Sequence, residues 1–322
     1  MLSEEVETLG VIEGDVRNHF HPLLHPCAID AFHFCDMGDN ELSGGGMFLC
    51  GQYELDENSE GGTSRGGGIN ICTVNSKTNS LSVTTTDCRS GVLDLKVAVD
   101  YAASAQSDSS LCIHRILRDD NNSSSGDVPE PPSFRLDEMV TISEDGEGLF
   151  LSVDWNLGYT VHRMDSSSCG TRENFSDLCG FVRRHSVCDN GEINTNIAIS
   201  TQEGSLIVYE LSNERQLCKT FTVNMAHHMF GQPMPAWIVC FDPHTKNTLV
   251  SGGDDCLMKL WDLRQGSNPT HTNKIHSAGV TSAQWHPQQE NIFATGSYDE
   301  YLRVWDYRSL RSPVAEIHTG MV

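Results

Sequence analysis

Near its end the chain alternates apolar and polar positions with a period of two, in short runs separated by turn residues. In Tyr301–Asp306, Leu302, Val304 and Asp306 fall on one face and Arg303 and Trp305 on the other, the pattern of a strand. Gly279–Trp285 predicts a strand ended by His286-Pro287, because proline has no N–H to give to a central ladder. Asn291–Gly296 predicts the next strand, and Tyr298-Asp299-Glu300 joins it to Tyr301–Asp306 as a hairpin. A fourth, weaker strand is expected around Val314–Ile317.

The same pattern occurs 44 residues earlier. Gly252 lines up with Gly296, Asp255 with Asp299, Trp261 with Trp305 and Asp262 with Asp306, and Phe241-Asp-Pro243 lines up with Trp285-His-Pro287. A repeat of this length ending in Trp-Asp is that of a four-stranded propeller blade. The expected fold is therefore an all-β WD-repeat β-propeller over 28–322, after an N-terminal segment 1–27, with its clearest blades at 226–273 and 274–322. Earlier blades are degenerate. Leu149–Trp155, Asn196–Ser200 and Gly204–Tyr209 form one, with Tyr209 in the Trp place. Gly91–Lys96 and Leu111–Ile116 belong to another, and Ala28–Cys35, Met47–Leu55 and Ile69–Val74 to the first. Polar insertions at 54–68, 119–133 and 164–192 read as surface loops. About five blades are recognisable where WD propellers usually have about seven, so the expectation is a chain lacking its last blades.

Composition narrows the function classes. With 44 acidic against 21 basic side chains the formal charge is -23, the wrong sign for nucleic acid or an anionic membrane surface. Met1–Val11 carries Glu4, Glu5 and Glu7 and reads as no signal peptide, and no stretch approaches the roughly 20 apolar residues of a membrane span. Cys169, Cys179 and Cys188 lack metal-site spacing, so no metal is expected, and the sequons at Asn121, Asn122 and Asn174 read as chance matches. The expected setting is the cytoplasm, with the nucleus as a second choice.

His276, Thr295, Asp299 and Trp305 have the spacing of the tetrad that ties a WD blade together, and His227, Ser251, Asp255 and Trp261 have it one blade earlier. These His and Asp residues look like catalytic pairs but are expected to be structural. Gly62-Thr-Ser64-Arg-Gly66 fits G-x-S-x-G but sits in a Gly-rich stretch, where a nucleophile elbow needs a strand before it and a helix after it.

Pro235–Phe241, Val250–Asp255 and Leu260–Arg264 resemble the middle of the eukaryotic WD-repeat diphthine methyl ester hydrolases. Phe293–Glu300, Val304–Asp306 and Pro313–Ala315 are similar to that family's next blade, and Leu49–Leu55, Gly91–Leu95, Ser152–Trp155 and Ala226-His227 precede them in family order. The resemblance is close over 226–316 and thin over 28–225. Two departures stand out: the segment from His228 to Trp237 is longer, and Cys256 replaces a usual turn glycine. The resemblance implies hydrolysis of the methyl ester of diphthine on elongation factor 2, giving diphthine and methanol, without a cofactor. Such chemistry needs an activated water, a proton shuttle and oxyanion donors. Asp254 and Tyr298, each directly before a tetrad Asp, are the candidates for base and oxyanion donor, with Trp237 and Glu300 at the same rim.

A second reading starts from Trp261-Asp-Leu-Arg264 and Trp305-Asp-Tyr-Arg308. Paired W-D-x-R motifs resemble substrate receptors that dock on the cullin-4 ubiquitin-ligase adaptor through residues such as Arg264 and Arg308. The plainer alternative is that each Arg pairs locally with Asp262 or Asp306.

Overall fold

The computed structural model describes residues 25–32, 45–57, 63–75, 80–98, 101–119, 133–156, 195–212, 216–287 and 289–320. Among them no helix forms, and the strands assemble into five four-stranded antiparallel sheets. The first holds β1 (His25–Phe32), β2 (Gly45–Glu57), β3 (Thr63–Asn75) and β4 (Ser80–Cys88). The second holds β5 (Val92–Ala98), β6 (Tyr101–Gln106), β7 (Ser110–Asp119) and β8 (Ser133–Ser143). The third holds β9 (Phe150–Asn156), β10 (Thr195–Thr201), β11 (Leu206–Leu211) and β12 (Leu217–Val223). A two-stranded hairpin, β13 (His228–Met229) with β14 (Gln232–Pro233), precedes the fourth sheet. That sheet holds β15 (Ala236–Phe241), β16 (Thr248–Gly253), β17 (Met258–Asp262) and β18 (His271–Asn273). The fifth holds β19 (Val280–Trp285), β20 (Ile292–Ser297), β21 (Tyr301–Asp306) and β22 (Ala315–His318). In each sheet the strands pair in chain order, which is the up-and-down meander of a propeller blade.

The chain divides into two compact units, 1–92 with 116–137 and 93–115 with 138–322. In the first unit one expectation is corrected. Positions 54–57 and 63–68 belong to strands, with Glu54 opposite Gly66 and Asp56 opposite Ser64, so most of that polar stretch extends a hairpin and is no loop. Its Gly-rich composition misleads because glycine in a paired strand is unfavourable but allowed. Ser64 therefore lies in β3, whose partner β2 precedes it, and no helix follows among the described residues, so the elbow geometry is missing. The insertions at 119–133 and 164–192 lie outside the described residues except at their edges, as do Cys169, Cys179, Cys188, Asn121, Asn122 and Asn174.

In the second unit the strands bury one residue type after another in layers. Val153, Trp155, Ile197, Ile199, Ile207 and Tyr209 pack with Ala103, Leu111 and Ile113. Trp261, Leu249, Phe241 and Val239 pack with Val208 and Phe221. Trp305, Phe293 and Trp285 pack with Leu260, Val250 and Cys240. Each cluster joins two successive sheets, so a blade completes its core only with its neighbour.

The turns that close β16–β17 and β20–β21 each place a non-glycine residue in the left-handed region, Cys256 at φ 63° and Glu300 at φ 66°. This conformation costs an L-residue roughly 1–2 kcal/mol, which explains why a glycine is usual there. Cys256→Gly should therefore raise the unfolding free energy, measured by urea denaturation, by up to about 1 kcal/mol, after the greater entropy that glycine has in the unfolded chain. A fall instead would mean that the Cys256 thiol, 3.8 Å from the Asp254 carbonyl, contributes more than its backbone costs.

Candidate functional site

In the fourth sheet the indole N–H of Trp261 donates to Ser251 Oγ at 2.9 Å, and Ser251 lies 2.7 Å from His227 Nε2. His227 Nδ1 is 2.8 Å from Asp255 Oδ1. A neutral imidazole with its proton on Nδ1 satisfies every one of these contacts. In the fifth sheet Trp305 donates to Thr295 Oγ1 at 2.8 Å, Thr295 lies 2.9 Å from His276 Nε2, and His276 Nδ1 is 3.2 Å from Asp299 Oδ2. These side chains are buried, with His227 0 % and His276 3 % exposed, so neither pair can meet a substrate.

Sequence reasoning missed the cation that completes each set. Lys259 Nζ donates to the Ala226 carbonyl at 2.5 Å and to Asp255 Oδ2 at 3.3 Å. Arg303 Nη1 donates to Asp299 Oδ2 at 2.6 Å and sits 2.7 Å from His276 Nδ1, while its Nε holds Glu316. The signal was available: both cations stand two residues before the Trp, on its buried face of the strand. Two carboxylates on first strands were also missed. Asp94 accepts the Val153 amide at 2.9 Å and Asp154 accepts the Phe241 amide at 2.7 Å, each tying one first strand to the next.

Burial lowers the affinity of His227 for a proton, outweighing the raising effect of Asp255. Burial and the Arg303 charge do the same for His276. The unfolded histidines, with ordinary pKa 6.5, take up protons that the folded ones resist. Their stability contribution is thus present above that value and lost as the pH falls through it. Burial also raises Asp255, but His227 and Lys259 together hold it below its ordinary value, so its contribution is lost only at lower pH, below about 4. The unfolding free energy in urea should therefore fall between about pH 7 and pH 5, by at most ~1.4 kcal/mol per pH unit for each histidine. A flat profile there would show that the folded histidines protonate freely.

Directly before each tetrad Asp the picture differs. The β16–β17 turn projects Asp254, whose Oδ1 accepts the Trp237 indole N–H at 3.3 Å. The β20–β21 turn projects Tyr298, whose ring is largely exposed, at 67 %. Between them passes Gly279: a Cβ there would lie 2.8 Å from Asp254 Oδ1 and 3.5 Å from Tyr298 Cδ2. Glycine at 279 thus lets Asp254 approach that turn closely, in a corner that Trp237 and Tyr298 flank. Backbone bonds fix the frame, from Asp254 N to the Pro235 carbonyl at 2.9 Å and from Tyr298 N to the Gly279 carbonyl at 3.0 Å. Glu300, in the same turn, pairs with His318 Nε2 of the outer strand at 3.2 Å.

A family model, WD domain, G-beta repeat, matches residues 225–262 and 267–306. The chain is 30% identical over 213 residues to mouse diphthine methyltransferase, covering 66% of this chain and 36% of that protein. The chain is a WD-repeat protein that resembles the diphthine methyltransferases. The human diphthine methyltransferase is 28% identical over 189 residues, 59% of this chain and 35% of that protein. A homolog from Dictyostelium discoideum is 46% identical over 89 residues, covering 24% of each chain. The matched stretches thus span about a third or less of the length of these relatives. The aligned repeats of this WD-repeat protein include all four residues around the corner, Trp237, Asp254, Gly279 and Tyr298.

The W-D-x-R arginines take the plainer course. Arg264 donates through Nε and Nη2 to the two oxygens of Asp262, at 2.9 and 2.7 Å, and Arg308 does the same to Asp306 at 2.9 and 2.6 Å. These bonds hold both carboxyls below the usual range, Asp306 at about 2. Each guanidinium fork is already engaged by its own strand end, and the ligase-receptor reading gains nothing from this geometry. A cavity of about 660 Å³ lies under the β13–β14 hairpin, lined by Met225, His228, Lys259, Trp261, Thr272 and Lys274 among others. It has no carboxylate in its lining, and none of Trp237, Asp254, Gly279 and Tyr298 lines it. Among the described residues no group of three metal-ligating side chains comes together.

Proposed function

We propose that this chain acts in diphthamide biosynthesis, as a hydrolase of the methyl ester of diphthine on elongation factor 2. The carrying observation is that the relatives matched over 66% and 59% of this chain are named for diphthine and for methyl-group chemistry. The reaction consumes one water: its oxygen bonds to the ester carbonyl carbon, the methoxy group leaves and takes a proton as methanol, and the acid remains. The corner supplies group types that this needs. Asp254 is the carboxylate to accept a proton from water, and the Tyr298 hydroxyl is the donor toward the developing oxyanion. Trp237 holds Asp254 by its indole N–H.

The substrate is a side chain on a folded protein, so the enzyme has to grip a surface. The β13–β14 hairpin suits this: Phe230 at its tip is 97 % exposed, with Met225 and Met229 beside it at 37 % each. It leads into Pro235 and Trp237, so the extra residues between His228 and Trp237 carry an apolar finger in the segment that enters β15. The test is incubation of the purified chain with elongation factor 2 carrying the methyl ester, followed by mass analysis of the modified peptide. A loss of about 14 Da, ester to acid, supports the reading, and an unchanged mass removes it.

A further inference from the structure

The chain carries a formal charge of -23, yet the cavity under the β13–β14 hairpin is lined by two lysines and a histidine and by no carboxylate. Its volume, about 660 Å³, suits a molecule of many atoms rather than a single ion. Lys259, on β17, is 7 % exposed and commits two N–H groups, to the Ala226 carbonyl and to Asp255, which leaves one more to donate. Lys274, directly after β18, and the His228 ring, on β13, make no hydrogen bond or ion pair among the described residues. Asp255 compensates Lys259, so the charge left over in the lining is that of Lys274. The donors also select the kind of anion. A planar carboxylate is met best by the two parallel N–H groups of an arginine, and this lining has no arginine. Lysine and histidine, with the amides of Asn224 and Asn268, offer separate point donors, which suit the three oxygens of a phosphate group. Val223, Leu257 and Trp261 also line the cavity and give contact to an apolar body.

We propose that this cavity binds a phosphate monoester with an apolar ester group, whose oxygens accept from Lys274, Lys259 and His228. The acidic remainder of the chain repels anions, which confines binding to the place where cations outnumber carboxylates. The site is distinct from the corner at Asp254, and its occupancy does not depend on ester hydrolysis.

Isothermal calorimetry on the whole chain gives a direct readout. The chain is titrated with phenyl phosphate, and with phenylacetate as the carboxylate of similar shape, at constant ionic strength. Saturable binding of phenyl phosphate is expected, roughly tenfold tighter than that of phenylacetate. Lys274→Gln should weaken it roughly tenfold, the scale of one hydrogen bond to a charged group, and His228→Ala several-fold. Both side chains are exposed, so the two variants keep the fold. Lys246→Gln removes an exposed cation outside the lining and should leave binding unchanged. A short peptide carrying phosphotyrosine presents the same group on a chain. Tighter binding of the peptide than of phenyl phosphate assigns the site to a phosphorylated protein segment, and equal or weaker binding assigns it to a small phosphate ester. Either result requires saturation that Lys274→Gln weakens. No saturation with either compound, equal affinity for phenylacetate, binding that neither Lys274→Gln nor His228→Ala alters, or an equal loss in Lys246→Gln would overturn the proposal.

Discussion

Asp255→Ala is expected to lower the unfolding free energy by about 3–5 kcal/mol, the scale of breaking a buried ion pair from one side. The size follows from what is left behind. Lys259, 7 % exposed, keeps a charge whose remaining partner is the Ala226 carbonyl. His227 Nδ1 loses its acceptor, and the amides of His228 and Leu257 lose theirs. The His227 ring cannot turn to water, because it is fully buried between Ser251 and Gly253, where an added Cβ would lie 2.5 Å from it. Asp299→Ala should cost less, since Glu316 still holds Arg303. Equilibrium urea unfolding of the two variants measures both. A loss below about 1 kcal/mol for Asp255→Ala would mean that the set is not a cooperative network.

This asymmetry between neighbouring aspartates was partly legible in the sequence. Trp261 and Trp305 recur 44 residues apart with their hydroxyl, Asp and His partners, because a blade has to be tied at fixed positions on strands of period two. The strands β15–β17 and β19–β21 were readable for the same reason. The first sheet was less so. A Gly- and Ser-rich run at 60–68 looks like a loop, yet pairing of Thr63–Asn75 with Gly45–Glu57 overrides composition. In the third sheet Tyr209 takes the Trp place but donates to Glu144, so no tetrad forms through it and no repeat signal marks it. The corner was legible only in part. Asp254 and Tyr298 were visible as turn residues before a tetrad Asp, but Gly279, against which Asp254 packs closely, comes from a different turn. The pairing of Glu300 with His318 was not legible, because the partner comes from the outer strand 18 residues further on.

Asp254→Asn separates the two kinds of aspartate most sharply. Asparagine keeps the shape and an oxygen to accept the Trp237 N–H, so the fold should change by less than about 0.5 kcal/mol. It removes the charge and the basic oxygen, so under the proposed reading water is no longer deprotonated there. Loss of a general base costs on the order of a hundredfold or more in rate. The decisive measurement is the rate at which this folded variant converts the methyl ester on elongation factor 2 to the acid, set beside the parent chain under identical conditions. The expected result is a fall of roughly a hundredfold or more with an unchanged urea midpoint, and a rate within about twofold of the parent would contradict the assignment of the site to Asp254.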